Sequence, residues 1–334
     1  MKLLLYSDPH WCSYSSIIRT RGSSYSTRLE NLIQSIQWVE NLAEYNQVDK
    51  IICCGDFFDK SELNSEEIAA LSEIKWSNIA HIFLAGNHEM GNYNHLYSTA
   101  KLFNMRFEYK VITEPSIYLM DNSNVLFLPY VLEKDREPIS KYIEYCDLIV
   151  SHNDIANIQM GKYLSKEGYK IEDIESHCNL CINGHIHNSE FISRKILNIG
   201  NLTGLNFSED ASKYSHYAII IDTNNINVDS IQFFENPFAF NFYKIEVDNQ
   251  SDFDKYNFKT NAIVSITSSI NDLIINNSNI LIHKIIKRSN AIKNDKEAPI
   301  SLKRDHISQF IEYCRQNFEA TEVMESELKE ITKQ

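Results

Sequence analysis

Ile51-Ile52-Cys53-Cys54-Gly55-Asp56-Phe57-Phe58-Asp59 is the stretch that decides the fold. Four apolar residues, too few for a buried helix, end abruptly in Gly-Asp, as a buried strand does when it runs into a loop. Four other runs share this form. Leu3-Leu4-Leu5-Tyr6 leads to Asp8-Pro9-His10, and Ile82-Phe83-Leu84-Ala85 to Gly86-Asn87-His88-Glu89. Leu148-Ile149-Val150 leads to Ser151-His152, and Leu180-Cys181-Ile182 to Gly184-His185-Ile186-His187. Five short strands therefore each end in a side chain able to hold a metal. In α/β sheets, ligands bind outside the carboxyl ends of the strands.

Helical patterns lie between the runs. Leu29, Leu32, Ile33, Ile36, Val39, Leu42 and Ala43 recur at helical spacing and give one broad apolar face. Residues 65–75 and 95–104 are weaker helix candidates. Strands alternating with helices predict an α/β layered sandwich, β-sheets flanked by helices. After residue 190 the texture changes, and strand-like runs at Ala218–Ile221, Phe242–Val247 and Ala262–Ile266 recur among Asn-rich turns. The expected organisation is a catalytic domain over 1–236, a small α+β domain over 237–301 and a helical segment over 302–334. In that last segment Ile307, Phe310, Ile311, Cys314 and Phe318 repeat at helical spacing.

Composition narrows the function classes. The 334 residues are 43% hydrophobic and 11% aromatic, which fits a globular chain with a sizeable core and excludes a disordered one. No apolar run approaches the roughly 18–20 residues that span a bilayer. The apolar N-terminus breaks at Ser7-Asp8, too early for a signal-peptide core. A soluble, cytoplasmic protein with no membrane partner is expected, its seven cysteines reduced thiols. Cys178 and Cys181, with His185 and His187 beyond, imitate a zinc knuckle, but strand alternation should point the two thiols to opposite faces. A net charge of −13 argues against nucleic-acid binding by the whole surface. Local charge differs: Arg19, Arg21 and Arg28 follow the first motif, beside Tyr14 and Tyr25, and a basic stretch runs from Lys284 to Arg304. Either segment could contact a nucleic-acid backbone, and either could be a solvated surface.

The strand ends offer carboxylate, imidazole and amide oxygen without thiolate, a donor set for Mn²⁺, Fe²⁺, Mg²⁺ or Zn²⁺ in a catalytic site. Two such ions about 4 Å apart can lower the pKa of a water and clamp both oxygens of an in-line phosphoryl displacement.

In order and spacing these motifs resemble those of the calcineurin-like metallophosphoesterases: Asp-x-His, Gly-Asp-x-x-Asp, Gly-Asn-His-Asp/Glu, a lone His and Gly-His-x-His. All five occur here in sequence between residues 8 and 187. The resemblance implies that Asp8, His10, Asp56 and His187 hold one metal. Asp56 would bridge to a second, held also by Asn87, His152 and His185. It implies two divalent ions, Mn²⁺ foremost, and makes His88 a non-ligand histidine that contacts the phosphate and assists the leaving oxygen as an acid. Asp59 and Glu89 would orient ligands from behind.

Within the family, Gly55-Asp56-Phe57-Phe58-Asp59 and the segment Asn198–Glu209 resemble the SbcD-type DNA-repair nucleases and their phage recombination counterparts. The first loop lacks the His-Leu-Gly that commonly follows their Asp-x-His. This closer likeness implies a DNA nuclease, exonuclease or endonuclease, in repair and recombination. Residues 237–301 would then cap DNA, and the chain would form a homodimer and dock an SbcC-like coiled-coil ATPase through 302–334. Two rivals share the fold: a phosphatase or cyclic-nucleotide phosphodiesterase, and a scaffold whose metal site has lapsed.

Overall fold

The computed structural model describes residues 1–287 except 107, 161, 162 and 271, so the segment 302–334 and most of the basic stretch 284–304 lie outside the described residues. Two six-stranded sheets lie face to face. The first runs in the order Gln232–Glu235, Tyr217–Asp222, Lys2–Tyr6, Lys50–Cys53, Ala80–Leu84, Tyr109–Ile112. The second runs Glu190–Phe191, Ile196–Asn198, Cys178–Asn183, Cys146–Ser151, Ser123–Leu128, Ser116–Met120. All five strands singled out by their apolar runs are central, and their pairings with one another are parallel.

Alternation within each strand builds three layers of core. Leu3, Leu5 and Ile52 of the first sheet meet Leu148, Val150, Leu180 and Ile182 of the second. Leu4, Tyr6, Ile51 and Cys53 face outward and are covered by the helix Thr27–Tyr45 through Leu29, Leu32, Ile36 and Val39. Ser26 caps that helix, its side chain accepting from the Leu29 amide. On the far side, Ile149 and Cys181 pack beneath the helix Ile171–His177. Each of these central strands buries both faces, so each reads as a continuous apolar run.

Three expectations change. The 95–104 region is two 3₁₀ turns, His95–Tyr97 and Thr99–Met105, because its apolar residues never form one stripe: Leu96, Leu102 and Met105 are exposed. Strands at Tyr109–Ile112, Ser116–Met120 and Ser123–Leu128 add to the five: Lys110 breaks the first, while 117–120 and 125–128 are uninterrupted apolar runs that the sequence reading passed over. Cys178 and Cys181 do not point to opposite layers. Cys178 stands at the helix–strand junction with its thiol turned back to the Ile174 carbonyl, so both thiols lie in one apolar layer. Burial pushes the Cys178 thiol up to about 12, and no thiolate is offered to His185 or His187.

A third sheet of three parallel strands follows, Asn241–Val247, Ala262–Ser268 and Ile280–Lys287. Phe242 and Ile263 on its inner face pack with Phe240 on Ile18, with Ile17, Phe207 and Ile282 around them. The small sheet is thus seated on the loop after the first motif and on the segment after the last. Among the described residues, no helix is long and apolar enough to cross a membrane.

Candidate metal centre

The five motif loops converge where the parallel strands of both sheets end. Asp8, His10, Asp56 and His185 all adopt left-handed backbone, with φ of 51°, 49°, 46° and 72°. That conformation is strained for non-glycine residues and clusters at functional sites. Two glycines let the loops close. Gly55 has φ of 115°, and a Cβ there would strike the His152 imidazole; a Cβ on Gly86 would strike the Asp56 carboxylate.

The imidazoles are oriented from behind. His10 Nδ1 lies 3.0 Å from Asp59 Oδ1, His187 Nδ1 3.0 Å from Glu209 Oε1, and His152 Nδ1 donates to the Cys54 carbonyl at 2.8 Å. Each Nε2 is thereby turned into the same space. His10 Nε2 and His187 Nε2 are 3.0 Å apart, and Asp8 Oδ1 faces the Nε2 atoms of His10, His152 and His187 at 3.7, 3.9 and 4.0 Å. His185 is turned the other way round, with Nε2 3.1 Å from Asp154 Oδ1 and Nδ1 3.0 Å from Asn87 Oδ1. Asp56 spans the cluster: Oδ1 accepts from the His88 amide at 2.9 Å, while Oδ2 lies 3.0 Å from His152 Nε2 and 4.0 Å from His10 Nε2.

Two adjacent donor sets result, Asp8–His10–His187 and Asp56–His152–His185. Asp8 Oδ1 and His152 Nε2 are buried without a hydrogen-bond partner; His152 Nε2 is near Asp56 Oδ2 but not aimed at it. Buried polar atoms without partners are rare and costly. These converge with lone pairs toward one point. The donor chemistry and the orphaned atoms fit divalent cations, and no thiol intrudes.

Electrostatics agree. Burial pushes the Asp8 carboxyl up, but His152 and His10 outweigh it and bring it down to about 2. Asp56 is likewise depressed, burial being overcome by His152 and His10. Burial pushes His10 down, yet Asp59 and Asp8 raise it to about 10; His152 rises to about 9 through Asp56 and Asp8.

All seven ligand candidates from the sequence, Asp8, His10, Asp56, Asn87, His152, His185 and His187, meet in this cluster. His88 stands at its mouth, 43% exposed in its side chain, with Nδ1 2.9 Å from the Asp59 carbonyl oxygen. A third donor grouping joins it to His10 and Asp56. Glu89 differs from expectation. Its buried carboxylate accepts from the amides of Gly86 and Phe58 at 2.7 and 3.1 Å, so it fixes loop backbone and orients no ligand side chain. Asp154 and Glu209 do orient ligands and carried no such role in the sequence reading. Asp154 had a signal, two residues past His152, whereas Glu209 is 22 residues from His187 and only folding joins them.

The three arginines after the first motif separate. Arg21 binds Glu66 and the Tyr14 hydroxyl, and Tyr25 reaches Glu73. Arg28 is fully buried and cannot meet a ligand. Arg19 remains exposed in a groove with Tyr14, Ser15 and Ser16. His81, His95 and His216 are packed and hydrogen-bonded away from the cluster.

Similarity to known proteins bears on this geometry. No protein with a curated function matches the chain in sequence. Among solved structures, an archaeal phosphodiesterase aligns at 15% identity and a TM-score of 0.37, covering 70% of this chain and 99% of that one. The protein TT1561 of Thermus thermophilus aligns at 12% identity and a TM-score of 0.40, covering 70% of this chain and 98% of its own. The sequence profile of the calcineurin-like phosphoesterases matches residues 1–189, which contain every loop of the centre. With that match over more than half of its 334 residues, and imidazole and carboxylate donors gathered for divalent ions, this chain belongs to the calcineurin-like phosphoesterases, a metal-dependent phosphoesterase family.

Proposed function

We propose that the chain is a DNA nuclease of SbcD type, hydrolysing phosphodiester bonds with two divalent ions, Mn²⁺ first among them. Asp8, His10 and His187 would hold one ion, Asn87, His152 and His185 the other, and Asp56 both. Bound there, the ions would supply the Lewis acidity that lowers the pKa of a water and offsets charge on the phosphate. The chain's own residues do the rest. Asp59, Glu209 and Asp154 fix imidazole orientation. His88, which shares a donor grouping with His10 and Asp56 but stands at the exposed mouth of the cluster, would protonate the departing oxygen.

The observation that favours a nucleic-acid strand over a small phosphoester is the surface beside the centre. Lys244 and Lys284 both flank Ser265 across the three-stranded sheet, and both ammonium groups face the Phe207 ring, at 5.8 and 4.9 Å from its centroid. Two like charges gather around one aromatic ring, a pairing of cations and π-surface that suits a nucleic-acid strand. Phe207 is two residues from Glu209, which touches His187. Residues 237–301 would then serve as a DNA cap. The remaining parts of the reading are a cytoplasmic homodimer and docking of an SbcC-like ATPase through 302–334.

The test compares substrates. Mn²⁺-dependent cleavage of end-labelled DNA, well above that of a chromogenic diester, is the expected result. Diester hydrolysis without DNA cleavage would return the protein to the small-molecule phosphodiesterases, and no metal-dependent hydrolysis of either would make it a scaffold.

A further inference from the structure

Arg28 is the one arginine of the first loop region that solvent never reaches, and its surroundings do not explain it as a stability element. It stands in the first turn of the helix Thr27–Tyr45, where the helix dipole disfavours a cation. Its side chain is fully buried, yet its hydrogen bonds go to two main-chain carbonyls and to no carboxylate among the described residues. Its Nε is a buried donor without a partner, with the Cys12 thiol close to the guanidinium. The guanidinium acts on the Asp59 carboxyl only through space, and a buried cation without a hydrogen-bonded anion is ordinarily costly.

The two carbonyls give it a purpose. Nη2 donates to Pro9 O at 2.8 Å, the peptide between Asp8 and His10, both in left-handed backbone. Nη1 donates to Gly204 O at 3.1 Å, in the loop whose Leu205 amide binds Glu209 Oε2, while Glu209 Oε1 holds His187. One rigid fork therefore spans the loop carrying Asp8 and His10 and the loop that orients His187. Those three residues form one donor set; among the described residues, the fork makes no hydrogen bond to His152 or His185 of the other. The planar guanidinium puts one nitrogen on each carbonyl in a fixed fork, a geometry that the single nitrogen of an ammonium does not reproduce.

We propose that Arg28 is a positioning residue for one of the two metal sites: it holds the Asp8–His10 loop and the His187 support in register. This rests on reading the cluster as a two-metal centre. The test is equilibrium Mn²⁺ binding to chelator-treated protein, wild type against Arg28→Lys and Arg28→Met, with ion-free melting followed alongside. The expected result is two ions in the wild type and, in both variants, one site weakened by about 10–100-fold, the scale for groups that orient ligands, with the other unchanged. Combining Arg28→Lys with His187→Ala should add no further loss, since both act on the same site. Two wild-type ions with unaltered variants, or equal weakening of both sites, would overturn the inference alone. Arg28→Lys that fails to fold would overturn it as well, making Arg28 a strut of the fold. A wild type that binds no second ion would overturn the reading of the centre and this inference with it.

Discussion

Two buried histidine–carboxylate clusters sit at opposite ends of the first sheet, and only one has the makings of a site. At the amino ends of the strands, His81 pairs with Glu40 at 2.8 Å, its Nδ1 reaches the Ile79 carbonyl, and the other Glu40 oxygen accepts from the Ser77 amide and hydroxyl. Every one of these polar atoms has a partner. At the carboxyl ends the same residue types leave Asp8 Oδ1 and His152 Nε2 without one and set His10 Nε2 against His187 Nε2. Both clusters pair imidazole with carboxylate, and Asp8, His10, Asp56 and His152 are as buried as His81 and Glu40. What separates a structural pair from a candidate centre is a set of unsatisfied lone pairs aimed at one point.

The largest expected effect is at Asp56. Asp56→Asn leaves a neutral amide where two dications would share a carboxylate, so activity should fall close to background and ion content below two per chain. Metal analysis beside turnover checks this, and two tightly held ions with normal turnover would break the contrast between the clusters. His88→Gln comes next, with turnover lowered by about 10²–10⁴, the scale of general-acid catalysis, and metal content unchanged. Loss of an ion in that variant would move His88 into the donor set with His10 and Asp56.

Proton linkage sharpens the comparison further. His10 and His152 are raised to about 10 and 9, above the ordinary histidine value near 6.5. Their contribution to the ion-free fold is thus full below about pH 6.5 and is lost as pH rises through 9 and 10. The ion-free melting temperature should decline across that window while Mn²⁺ affinity rises, because loading must expel these protons. Calorimetry in buffers of different ionisation enthalpy would count them; an affinity flat from pH 6 to 9 would contradict the linkage. Smallest on the metal axis is His81→Ala. It strands a buried carboxylate and should destabilise the fold by about 3–5 kcal/mol, yet leave ions per folded chain untouched. An ion lost there would mean the closed pair is coupled to the open cluster.

Sequence by itself determined the five central strands and the loops that follow them, because a strand buried on both faces must be continuously apolar and must stop where polar ligands begin. It also placed the seven candidate donors in the loops that follow those strands, a set implied by the resemblance to the phosphoesterase motifs. Ser116–Met120 lies at the edge of its sheet with Ile117 and Leu119 exposed, so its apolar run does not come from burial on both faces. Only the tertiary structure decided which groups stand behind the donors. Glu209 reaches His187 and Arg28 reaches Pro9 and Gly204 across chain separations that no local periodicity encodes. The same holds for Arg28 against Arg19: two arginines nine positions apart, one sealed in the interior and one in solvent, divided by the packing of one helix on one sheet.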